Sequence, residues 1–173
     1  VTPRTSPQEP DAQGASGTAR TDYTGAIYGS LLAASVIAGA SALGPFPRLE
    51  LVVLLLCTGV VFCAAHAYAD IVGNRRPHQT LTWQEIRQVG AREWPIVQAA
   101  VPPAAAVVIS PLLGLGLTGT AWLALGVAVA EQVTWAGVAA HRAGASNLAV
   151  VSAGAVNLVL GLIIVAAKVA VEP

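Results

Sequence analysis

Five stretches of about 20 predominantly apolar residues, the length that crosses a hydrocarbon core, divide this chain at 23–43, 49–72, 94–115, 120–140 and 148–169. The runs are too long for strands and carry few charges, so the pattern predicts an all-α polytopic membrane protein with five transmembrane helices in residues 21–173. Ahead of them, VTPRTSPQEPDAQGASGTAR is rich in Pro, Gly, Ser and Thr with little to bury, and residues 1–20 read as a disordered cytoplasmic tail. Between the second and third runs, TWQE (Thr82 to Glu85) has the spacing of a capping box. A short interfacial helix over 83–93 follows from it, with Ile86, Val89 and Trp94 towards the bilayer and Arg87 and Arg92 at anionic headgroups.

Composition strengthens this picture. The chain is 55% hydrophobic and 10% charged, against about 45–50% apolar and about 25% charged in an ordinary soluble domain. Its formal net charge is zero, so no bulk field recruits nucleic acid. With no Met in the chain, Val1 points to a non-ATG start codon translated at face value or to a trimmed chain. If all five runs cross, one side holds Arg4, Arg20, Arg75, Arg76, Arg87, Arg92 and Arg142, while the other keeps Arg48 and Lys168. The positive-inside rule then puts the N-terminus in the cytoplasm and the C-terminus outside. Tyr23, Tyr68, Trp94 and Trp122 fall near span ends, as interfacial aromatics do, whereas Trp135 sits deeper and reads as packed against a neighbour. A cleavable first span is the competing reading, since AGASA (Ala38–Ala42) has suitable small residues; the long leader and Asp22 beside the apolar run weigh against it.

Candidate chemistry is confined to a few polar residues inside the spans. On the second helix, Gly59, Cys63, His66 and Asp70 follow i, i+4, i+7, i+11 spacing and share one stripe. Cys63, His66 and Asp70 are all capable metal ligands, and His66 with Asp70 also suits proton handling. The plainer reading makes Cys63 a small buried hydrophobe and Asp70 a headgroup-level carboxylate bonded to His66 or a neighbour. Glu131, near the middle of the fourth span, is placed where a carboxylate costs about 2.5–3.5 kcal/mol on insertion scales. It reads as either a transport group or a structural hydrogen bonder facing the bundle interior. In the third span Pro95, Pro102, Pro103 and Pro111 remove backbone donors, and the VPP at its middle predicts a kink or break. Gly25 and Gly29 form a GxxxG motif, Gly126, Ala130 and Thr134 repeat small residues every four, and Asn157 is expected to bond another helix. Cys57 and Cys63 lie about 9 Å apart along one helix, beyond the roughly 7 Å that a disulfide tolerates. No CxxC, Walker loop, HExxH or GxSxG occurs, so neither a cofactor nor an enzyme is indicated.

The segments YTGAIYGSLLAASVIAG, AHAYADIVGNR, AREWP and HRAGASNLAVVSAGAVNLVLGLIIVAAKV resemble small integral membrane proteins of unknown function from high-GC Gram-positive bacteria. More remotely, the layout is similar to the vacuolar iron transporter family: five spans, N-terminus inside, and a cytoplasmic segment between spans two and three. That resemblance implies a dimeric exporter exchanging ferrous or similar divalent ions for protons. The family's acid before glycine in the first span corresponds here to Tyr28–Gly29, and the 73–93 loop has only Glu85 and Glu93 among four arginines. Two expectations result. One is a small proton-coupled cation transporter or ion-conducting bundle using Glu131, His66 and Asp70; the other is a non-transporting accessory or scaffold subunit. Lipid and a homodimer or membrane-protein partner are the expected associations.

Overall fold

A computed structural model describes the backbone of residues 14–73 and 82–171, with side chains from Tyr23 onward. Residues 1–13 of the tail, and Arg75, Arg76 and His78 of the loop, lie outside the described residues. Every regular element described is helical. Helices α1 (Gly14–Ala42), α2 (Arg48–Gly73), α3 (Trp83–Glu93), α4 (Pro95–Gln98) and α5 (Val101–Ile109) are followed by a 3-10 turn (Ser110–Leu113), then α6 (Leu117–Arg142) and α7 (Asn147–Val171). Five helical stretches are long and apolar enough to cross a membrane: Tyr23–Ala42, Arg48–Gly73, Trp83–Leu113, Leu117–Arg142 and Asn147–Val171. The protein is therefore read as a five-span membrane protein. Helix α1 begins at Gly14, so the segment taken as a disordered tail is helical over its last residues up to Arg20. These residues, GASGTAR, continue the hydrogen-bonded ladder of the first span despite the low helix propensity of Gly14 and Gly17.

Helix ends are set by local chemistry. Thr82 Oγ1 accepts from the Glu85 backbone N–H at 3.3 Å and the Glu85 carboxylate accepts from the Thr82 N–H at 3.2 Å, which starts α3. Beyond the 3-10 turn, Gly114 at φ 69° allows its N–H to reach Pro111 O while Leu115 N–H reaches Ser110 O. Gly144 at φ 72° does the same after α6, with Ala145 N–H donating to Ala140 O. Both are left-handed caps of the kind that glycine adopts without steric cost. The third span is helical from Trp83 to Leu113 with interruptions at Trp94 and at Ala99–Ala100. Pro95, Pro102 and Pro111 each lie in the first turn of the segment they open, where the missing N–H has no intrahelical partner to lose. The break thus falls just ahead of VPP and leaves α5 intact.

In the bundle, α1 is central. It packs on α2, α4, α6 and α7, and half of its span (50%) is buried, compared with 6% for α7. Helix α2 lies against α1 and the third span, and α7 lies against α6 and α1, so these two form opposite flanks. The core is built of small residues, with Ala33, Ala34, Ala104, Ala124 and Ala128 around Ile37, Leu55, Val107 and Leu125. Large apolar side chains such as Val53, Val61, Val151, Leu158 and Ile163 point outward instead. Small inside and large outside suits lipid, because tails are as apolar as the core and close approach of backbones supplies the packing.

Candidate functional site: polar groups within the bundle

The stripe on α2 turns towards the third span. A Cβ on Gly59 would sit 3.4 Å from both Val97 Cα and Ala100 Cβ, and Cys63 is buried with Ile96 and Val97. One turn further, His66 Nδ1 lies 3.1 Å from Phe62 O, closing back on its own helix. Its ring packs 5.0 Å from that of Tyr28 on α1, and Tyr28 meets Phe62 edge-on at 6.4 Å. At the end of the stripe, Asp70 lies 3.9 Å from Arg92 of α3, with both side chains partly exposed. An ion pair of that kind contributes about 0–1 kcal/mol and serves mainly to orient α3 on α2. Among the described residues, no three His, Cys, Asp or Glu side chains converge as a metal site would require.

Glu131 lies elsewhere. The Trp135 indole Nε1–H donates to Glu131 Oε1 at 3.1 Å, while Oε2 is buried with no hydrogen-bond partner. Trp135 in turn rests on Tyr23 of α1, ring centroids 5.9 Å apart, and Arg142 lies over the Tyr23 ring at 5.6 Å. Its neighbour Gln132 is fully buried and donates from Nε2 to Asn157 Oδ1 of α7 at 3.2 Å; Asn157 Nδ2 donates to Ala153 O at 2.9 Å. Consecutive polar residues on α6 therefore serve different seams, because they point about 100° apart. Tyr23 and Tyr28, five residues apart, point about 140° apart on α1, one towards Trp135 and the other towards His66. Helix α1 thus separates Glu131 from His66 and Asp70, and the three make three distinct contacts.

Packing candidates are also placed. A Cβ on Gly29 would lie 2.7 Å from Ile96 O and 2.8 Å from Ala99 Cβ, and one on Gly25 would lie 3.5 Å from Pro95 Cβ. The GxxxG face is used within the chain, against α4. Gly126 meets nothing within 4 Å, and Ala130 and Thr134 are exposed, so that stripe faces outward. It borders an apolar groove of about 550 Å³ between α6 and α7 that Trp122, Val129 and Leu158 also line. A second hollow of about 520 Å³ lies where α1 turns into α2, lined by Ser41, Phe46 and Thr118 among others. Neither has Glu131, His66 or Asp70 in its lining.

One polar cluster escaped the sequence reading. Arg48, counted there only as a charge on the less basic side, donates from Nε to Ser110 Oγ at 3.1 Å and to Thr120 Oγ1 at 3.2 Å. Its terminal nitrogen donates to Leu115 O. Ser110 and Thr120 are themselves 2.7 Å apart and almost fully buried. A single guanidinium, with its five fixed donors, thereby ties α2, the 3-10 turn and α6 at one end of the bundle. The available signal was positional: Arg48, Ser110 and Thr120 all lie at span ends on one side. Lys168, also counted only as a charge, is 2% exposed with its ammonium 4.7 Å from the Trp122 ring centroid.

No family model, curated protein or solved structure matches the chain.

Proposed function

We propose that the chain is a non-transporting membrane protein, an accessory or scaffold subunit without catalytic chemistry of its own. The observation that carries this reading is the separation of its intramembrane ionisable groups. Glu131 is engaged with Trp135 on one side of α1, while on the other His66 is engaged with Phe62 and Tyr28, and Asp70 with Arg92 of α3. A conducting path needs such groups in sequence along one wet cavity, whereas helix packing needs each to be satisfied locally. A second copy or another membrane protein is the partner class in this reading. We place the N-terminus in the cytoplasm and the C-terminus outside, on the partition of arginines between the loops, and the resemblance to proteins of high-GC Gram-positive bacteria implies a bacterial inner membrane.

The other reading, a proton-coupled cation transporter with a layout similar to the vacuolar iron transporter family, draws on one observation, the buried unpartnered Oε2 of Glu131. Flux separates the two. Purified protein in liposomes is expected to give no proton or divalent-cation flux above empty vesicles under an imposed gradient. Flux that collapses in Glu131→Gln or His66→Ala at matched incorporation would overturn the accessory reading.

A further inference from the structure

We propose that Glu131 is a proton-binding site inside the membrane, with Trp135 as the positioning residue for its carboxyl group. This goes beyond the accessory reading and does not rest on it. The geometry is asymmetric: Oε1 accepts the indole hydrogen of Trp135 at 3.1 Å, and Oε2 is buried with nothing to bond. A carboxylate in that setting leaves a full charge in an apolar medium with one of its two oxygens unsolvated, whereas a carboxylic acid leaves only a hydroxyl.

No described cation offsets that charge. Helix α6 packs against α1, α5, the 3-10 turn and α7. On α1 the titratable groups with described side chains are Tyr23, which meets Trp135, and Tyr28, which meets His66 on the far side; the side chains of Arg20 and Asp22, at the Tyr23 end of the helix, lie outside the described residues. Helix α5 and the 3-10 turn, VPPAAAVVI and SPLL, contain none. Helix α7 carries Lys168, whose ammonium lies on Trp122, nine residues or about 13 Å along α6 from Glu131. On α6 itself, His141 and Arg142 are in the last turn, and Arg142 lies on Tyr23. The proton comes from bulk water and adds to Oε2, while Oε1 keeps the indole bond. Its loss puts an unpaired charge beside the α1–α6 seam, so the Glu131–Trp135–Tyr23 contact becomes sensitive to pH.

The test is infrared spectroscopy of the full chain in phosphatidylcholine vesicles over a pH series, for the native protein, Glu131→Gln and Trp135→Phe. The expected result is a carbonyl stretch of a protonated carboxylic acid that persists at pH values where the exposed carboxyls have ionised. That band is lost in Glu131→Gln, and in Trp135→Phe it shifts upward as its oxygen loses the indole donor. Absence of the band in the native protein, or its survival in Glu131→Gln, overturns the proposal. Should Glu131→Gln fail to insert, an unshifted band in Trp135→Phe overturns it equally.

Discussion

At Gly29 the backbone of α1 comes so close to α4 that even a methyl group would lie 2.7 Å from Ile96 O, a backbone atom with little room to move. Gly29→Ala is therefore expected to destabilise the protein by about 1–3 kcal/mol, the range for overpacking, read as a lowered midpoint in denaturation from detergent micelles. Gly39 on the same helix meets nothing within 4 Å, and Gly39→Ala should be neutral or stabilising by up to about 1 kcal/mol through helix propensity. Equal losses at both positions would mean that close approach is not what Gly29 provides. The GxxxG spacing was legible because it is local to one helix. Its partner was not, since Ile96 lies 67 residues further along the chain and only the assembled bundle brings it there.

Among elements, the third span shows how far local rules reach. The TWQE capping box was readable because both of its hydrogen bonds lie within four residues, and α3 starts at Trp83 accordingly. Thr82→Ala should cost about 0.5–2 kcal/mol and appear as faster amide exchange in the first turn of α3. The prolines signalled an interruption, and the helix accommodates them by restarting, so Pro102 sits where no backbone donor is needed. Pro102→Ala is expected to change stability by less than about 1 kcal/mol, well below the roughly 3 kcal/mol set by a mid-helix proline. A large gain would place Pro102 inside a continuous helix. The Arg48 cluster was illegible for the opposite reason, since its partners lie 62, 67 and 72 residues away in sequence. Arg48→Ala removes hydrogen bonds from a charged donor to the 3-10 turn, the loop after it and α6 at once. A loss of about 1.5–3 kcal/mol is expected, together with increased amide exchange at Leu115 to Thr120.

For the whole molecule, apolar run lengths were enough to read five spans, because a helix in lipid must satisfy its backbone internally and must be about 20 residues long. The direction in which a polar stripe points was a different matter. Gly59, Cys63, His66 and Asp70 do share a face of α2, yet what that face meets, Ile96, Val97 and Ala100 of the third span with Tyr28 of α1 and Arg92 of α3, depends on how the helices assemble, which no periodicity encodes. The central claim is that the intramembrane polar groups form separate packing contacts, and a thermodynamic cycle on stability in lipid or detergent tests it most directly. Glu131→Ala and Trp135→Phe, which remove the two sides of one hydrogen bond, should couple by at least about 0.5 kcal/mol. Glu131→Ala and His66→Ala should instead add to within about 0.3–0.5 kcal/mol, as unconnected sites do. Coupling of Glu131 to His66 as large as its coupling to Trp135 would contradict the account, because the two groups would then belong to one connected network across the bundle.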